Sequence, residues 1–207
     1  MSEILPAELT GVYLLPLLLV AVLVAWLVLR NRKGKDRSLS AILDDIAFDR
    51  IEKLVIPNVD EGEIQIDFLV LTAQGLLIID AKNVQGAVFG SDKMQDWTVI
   101  SDNHRFTFNN PQPALHDRIA AVRQIVRQVP VEGRIVFLDG ATFTKGVPDL
   151  VCSLDELISS FGEKDKAAAV VKIEAFKPHW ELIKRKAEDA MRQKKKAQGK
   201  GRRKPSK

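Results

Sequence analysis

A single cysteine in 207 residues rules out an internal disulfide, and neither a CxxC pair nor a Cys/His cluster at zinc spacing occurs. Cys152 lies in the apolar run Leu150-Val151-Cys152 and is expected as a small buried thiol. Such cysteine usage suits a domain folded in a reducing compartment. Histidine is nearly as scarce. His104, His116 and His179 pair with no acid at useful spacing and are expected at the surface or at helix caps. Gly86 and Gly90 precede no Lys-Ser or Lys-Thr, so they read as turn glycines and not as a phosphate loop. No internal repeat is visible. These absences exclude a disulfide scaffold, a structural zinc module and a phosphate-loop nucleotidase.

The composition is that of a folded protein, with 46% hydrophobic and 28% charged residues. The length allows one ordinary domain with accessory segments. The net charge of +4 conceals a division by region. Arg30 to Arg37 carries +4, Lys184 to Lys207 carries +10 and the first 29 residues carry −2. Residues 38–183 are therefore left at −8. An acidic body with basic ends means that the high isoelectric point does not indicate a nucleic-acid-binding face on the body.

Leu9 to Leu29 gives 21 consecutive residues without a formal charge, and from Leu14 onward the run is almost entirely Leu, Val and Ala. At ~1.5 Å per residue such a helix covers roughly 30 Å, the hydrocarbon thickness of a bilayer. Pro16 sits near its start, and Tyr13 and Trp26 lie towards its ends as belt aromatics do. The acidic start and the ending Trp-Leu-Val-Leu-Arg do not fit a cleaved signal peptide. Arg30, Arg32, Lys33, Lys35 and Arg37 follow the span. The positive-inside rule then places residues 1–8 outside and the body in the cytoplasm, a single-pass protein of the inner (cytoplasmic) membrane.

After a basic linker at 30–37, residues 38–47 predict a short helix with Leu39, Ile42, Leu43 and Ile46 on one face. Strands are predicted at Ile51–Ile56, Ile64–Thr72 and Leu76–Lys82, the last two joined by the hairpin signal Ala-Gln-Gly. A short strand at Gly86–Gly90 and another near Trp97 and Val99 follow. Asn110 caps a helix that starts at Pro111 and carries Leu115, Ile119, Val122, Ile125 and Val126 at helical spacing. Arg134–Leu138 is a strand, Asp155–Phe161 a short helix, and 162–193 a helical extension. A basic disordered tail is expected over 194–207. The order αβββ…αβα points to an α/β fold with a mixed sheet flanked by helices, the main domain spanning 38–161.

Asp67, Asp80 and Lys82 interrupt strands that are otherwise apolar on both faces. Buried charges pair or bind metal, because an isolated one is too costly. A Gln74-Gly75 turn would pair Ala73 with Leu76, set Asp67 opposite Lys82 and put Asp80 diagonally on the same face. Two converging carboxylates form a hard site suited to Mg²⁺, with an adjacent lysine to orient water or stabilise charge. Spacing alone favours the plainer alternative, a buried Asp–Lys salt bridge with the second Asp hydrogen-bonded nearby.

The stretch Gln65 to Asn83, reading QIDFLVLTAQGLLIIDAKN, resembles the nuclease-related domain (NERD) family of the PD-(D/E)xK superfamily. Gly86, Gly90, Trp97 and the Asn110-Pro111 helix start fit the same pattern in order. The resemblance implies a restriction-endonuclease-like core, αβββαβ, and a metal-dependent nuclease acting on DNA or RNA with Mg²⁺ or Mn²⁺. It implies Asp67 and Asp80 as metal ligands, the carbonyl of Ala81 as a further ligand, and Lys82 as the catalytic lysine. Ile66 stands where the superfamily usually has Pro. No Glu occupies the first helix, leaving Asp44 or Asp45 as shorter substitutes. Ala114 stands where the family often has Gln, with Gln112 two positions earlier. The competing reading is a non-catalytic scaffold or nucleic-acid-binding module with the same fold. The expected partners are the bilayer and, through the basic tail, anionic lipid headgroups or nucleic-acid phosphate. No aromatic interleaves the tail, so base stacking is not expected there.

Overall fold

The apolar runs around Val70 and Ile78 become central strands because both of their faces can be covered. In the computed structural model, residues 38–57, 62–102, 104–138, 140–162 and 166–201 are described. The predicted span at 9–29, its basic linker and residues 202–207 lie outside them. Among the described residues, no helix is long and apolar enough to cross a membrane.

The elements run α1 (Leu39–Ile46), β1 (Asp49–Pro57), β2 (Glu63–Thr72), β3 (Gly75–Lys82), β4 (Gly86–Phe89), β5 (Asp96–Ser101), β6 (His104–Asn109), α2 (Pro111–Ile125), β7 (Val131–Phe137), β8 (Ala141–Phe143), β9 (Val151–Cys152), α3 (Leu154–Phe161) and α4 (Lys166–Gly201). The main sheet has the order β1-β2-β3-β7-β9, with β1, β2 and β3 antiparallel and β7 and β9 added in parallel. The expected mixed α/β architecture is present. A second sheet, β6-β5-β4-β8, was not anticipated. The polar stretch after Ser91 contains two strands, β5 and β6, where one was expected. Their cross-strand pairs, such as Thr98↔Thr107 and Ile100↔Arg105, mix polar and apolar residues, which blurs the period-two signal. The strands β8 and β9 are too short to leave any periodicity.

Alternation along β3 divides the interior into two apolar clusters. Leu77 and Ile79 face α1 and α3, meeting Ile42, Leu43, Ile46, Leu157 and Phe161. Leu76 and Ile78 face α2 and α4, where Leu115, Ile119, Val122, Ile173, Trp180 and Ile183 gather with the inner face of the second sheet. Cys152 is buried as expected, and burial pushes its thiol up to about 11. The capping of α2 follows the sequence reading, with Asn110 Oδ1 accepting from Gln112 N at 2.9 Å and Pro111 in the first turn. On the inner side of α2, Gly133 of β7 leaves room for close approach. A Cβ there would lie 2.8 Å from both Leu115 Cδ1 and Ile119 Cδ1. The helix α4 continues through Pro178 to Gly201, past the boundary at 193 drawn from composition.

The hairpin turn lies one residue earlier than expected, which shifts the pairing register by two. Thr72 pairs with Gly75, so the turn is Ala73-Gln74 and Gly75 opens β3. The Thr72 hydroxyl closes this turn, donating to Gly75 O at 3.0 Å and accepting from Gln74 N at 3.2 Å. Gly75 has φ +131, and a Cβ there would lie 2.4 Å from Pro130 O, so no other residue fits. A two-residue shift preserves which side chains share a face.

The two sheets meet at Trp97. Its ring is fully buried, stacks on Phe137 and meets Phe108 and Phe143 edge-on, while Nε1 donates to Ser91 O at 3.1 Å. Removing it opens a large cavity that surrounding side chains cannot fill. Trp97→Ala is expected to cost ~3–5 kcal/mol of unfolding free energy, measured by urea denaturation. A loss below ~1 kcal/mol would show that Trp97 does not hold the sheets together.

Candidate functional site

Only 3% of the Asp80 side chain is exposed, at the C-terminal end of β3, so its charge has to be paired. Two cations meet it. Lys82 Nζ lies 2.7 Å from Oδ1 and Arg118 Nη1 lies 3.1 Å from Oδ2. The Lys82 contact lacks hydrogen-bond geometry, so Oδ1 keeps unspent acceptor capacity despite its ion pair. The Arg118 contact is a hydrogen bond, and a second one runs from its Nε to Gln65 O at 2.7 Å.

Asp67 is the partner across the hairpin. The β2–β3 ladder runs to Phe68↔Ile79, which makes Asp67 and Asp80 the next pair in register. The expectation that Asp67 would face Lys82 is thereby corrected: the turn sits one residue earlier in the chain and the register shifts by two, so Asp67 stands opposite the other carboxylate. Burial, and next the charge of Asp80, raise the Asp67 carboxyl above its ordinary value of 3.8; Lys82 and Arg118 pull the other way. Asp67 is nonetheless solvent-exposed. It is a wet carboxylate next to a dry one.

The strand geometry changes at this point. Lys53 on β1, across from Asp67, has φ 52, and the β1–β2 partners pass from Glu52↔Phe68 to Leu54↔Ile66 without it. Ile64 and Ile66 join the same apolar cluster as Leu69 and Leu71, so alternation along β2 breaks at Asp67 and Phe68. A left-handed lysine costs of order 1–2 kcal/mol. Such local strain is concentrated where a strand must re-aim a side chain.

Ala81 lies between the two charged residues of β3, aligned with Val136 of β7. The acids proposed as substitutes for a helix Glu are elsewhere. Asp44 pairs with Arg50 at 2.6 Å, and both Asp44 and Asp45 belong to α1, which packs on the face of the sheet opposite Asp80. Gln112 is also committed, its Nε2 donating to Asp92 Oδ1 at 2.8 Å. His104 and His116 are exposed and His179 is half-buried. Among the described residues, no group of three or more His, Cys, Asp or Glu converges as a metal cluster.

Arg118 is the site residue that sequence reasoning missed. It falls on α2 at the i+3 position from Leu115 and beside Ile119, on the border of the buried face. Periodicity alone gives such a border arginine to solvent. The available signal was its i+4 offset from Ala114, the position at which the resemblance expects a polar side chain.

Taken together, Asp67, Asp80, Lys82 and Arg118 bring two formal negative and two formal positive charges into one patch where β2, β3 and α2 meet. Carboxylate oxygens of this kind can accept a hard cation, and the two cationic side chains can hold an anion.

A search of the solved structures found no match to the chain. An uncharacterized protein of Bacillus anthracis is 30% identical over 64 residues, covering 31% of this chain and 30% of that protein. The chain thus spans under a third of that relative's length. The sequence profile described as "Nuclease-related domain" matches residues 30–138, just over half of the chain, from before α1 to just past β7. The chain belongs to the nuclease-related domain (NERD) family.

Proposed function

We propose that this domain is a divalent-metal-dependent phosphodiesterase acting on DNA or RNA, held at the cytoplasmic face of a membrane by the apolar segment at 9–29. The single observation that carries the reading is the juxtaposition of Asp67 and Asp80 with Lys82 beside them.

The donors fit a hard dication. One buried oxygen of Asp80 has acceptor capacity left over, and Asp67 faces it with a carboxyl whose ionisation is disfavoured by burial and by the charge of Asp80. Asp67, Asp80 and the Ala81 carbonyl would hold Mg²⁺ or Mn²⁺, with water completing the shell. When bound, such an ion supplies a water of lowered pKa and offsets charge building on phosphorus. The remaining work belongs to the chain. Asp80 fixes the Lys82 ammonium at the end of β3, where it orients the attacking water or holds the developing negative charge. Asp67, being wet, admits substrate and water from outside. The basic tail holds anionic headgroups or nucleic-acid phosphate near the membrane.

A second reading is a non-catalytic membrane-tethered scaffold or nucleic-acid-binding module. The observation in its favour is that Lys82 and Arg118 already neutralise the charge of Asp80 and that no third acid joins the described site. Absence of both cleavage and divalent-metal binding by the full-length chain would favour it.

Two results are expected from the first reading. The full-length chain should cleave DNA or RNA with Mg²⁺ or Mn²⁺, and Asp67→Asn and Asp80→Asn should each reduce the rate by ~10²-fold or more. Asp67 is exposed, so its variant keeps the fold even if Asp80→Asn does not. Cleavage that persists in both variants would dismiss the assignment. The second concerns pH. The Asp67 carboxyl, followed by ¹³C NMR, should titrate above 3.8, and Asp80→Asn should bring it down because the second cause of the shift is removed. Since a proton and a dication compete for the ionised form, metal affinity should weaken as pH falls through that raised value. An Asp67 that titrates at or below its ordinary value would contradict the geometry.

A further inference from the structure

We propose that Arg118 is an internal competitor for the metal site: a positioning residue that neutralises Asp80 and must release it when a divalent ion binds. This rests on the metal reading given above and deepens it.

The two hydrogen bonds of Arg118 are unequal. Its Nε donates to the Gln65 carbonyl at 2.7 Å, whereas Nη1 reaches Asp80 Oδ2 at 3.1 Å. Charge-assisted N–H···O bonds ordinarily fall at ~2.7–2.9 Å, so the contact to the carboxylate is the looser of the two. The guanidinium is therefore anchored by a neutral backbone oxygen on β2 and can leave Asp80 without leaving the site. The helix that carries it is fixed, because Gly133 lets α2 lie close on β7 and Asn110 caps its start. A swing of the side chain is enough; the helix stays.

Charge gives the reason for the exchange. Asp67 and Asp80 are already balanced by Lys82 and Arg118. A dication entering with all four in place would leave a net +2 in a partly dry patch. Releasing Arg118 from Oδ2 frees a carboxylate oxygen for the incoming ion and turns the guanidinium into a donor for an anion of the phosphate class. Cation and phosphate binding are thereby coupled through one side chain. The ion pair sets a threshold that keeps the site closed to divalent ions at low concentration.

The test is Mn²⁺ binding to the full-length chain, measured by electron paramagnetic resonance with no nucleic acid present. Arg118→Gln should bind Mn²⁺ about tenfold more tightly than the wild type, the effect expected from removing one competing charge-assisted bond. Arg118→Lys keeps a competing charge and should stay close to the wild type. Far-UV circular dichroism and thermal melting establish that each variant is folded. Unchanged or weaker Mn²⁺ binding by a folded Arg118→Gln chain, alongside clear binding by the wild type, would overturn the competitor role and leave the metal site standing. If neither wild type nor Arg118→Gln binds Mn²⁺, the metal reading falls and this inference falls with it.

Discussion

A carboxylate nearly out of water at the end of a central strand is the constraint around which this domain is arranged. Desolvating one ionised group costs several kcal/mol unless compensation comes from close by. Asp80 receives it from two directions: Lys82 two residues on in the same strand, and Arg118 from the helix packed above. The break in alternation on β2, the left-handed Lys53 and the glycine under α2 all lie around this point. Each shapes how near the neighbouring groups can come to Asp80.

The arrangement of charges is compatible both with the proposed hydrolysis and with a purely structural role. An Asp–Lys–Arg cluster is a satisfactory structural ion-pair network by itself. What sets it apart is Asp67, an acid placed beside another acid where pairing alone calls for a cation. Like charges kept adjacent raise the cost of the folded domain and are retained where something else is bound. Membership of the nuclease-related domain family gives that something a nuclease-related direction, which the proposed function takes to be a metal ion and a phosphodiester.

Much of this was legible in the chain. The hairpin, the helix started by Asn110-Pro111, the buried Cys152 and the short helices at both ends of the domain follow from periodicity and capping, which are local properties. The common face of Asp67 and Asp80 was legible too, because parity survives a shift of two residues, although the residue opposite Asp67 was misassigned. The turn was placed late because Gly75 looks like a loop residue, while its role is to enter β3 where Pro130 leaves no room for a side chain. Arg118 was not legible, since nothing local in α2 tells that Gln65 and Asp80 await it from strands about 50 and 40 residues earlier. The second sheet escaped for a similar reason, its strands being short and its partner β8 arriving only after β7.

The most direct measurement is the position of a bound ion. Crystals of the protein soaked in Mn²⁺ should give one anomalous peak at ~2.0–2.3 Å from carboxylate oxygens of both Asp67 and Asp80, with Arg118 Nη1 withdrawn from Oδ2. A map without a peak between those carboxylates, and with Arg118 still bonded to Asp80 at saturating Mn²⁺, would contradict the account.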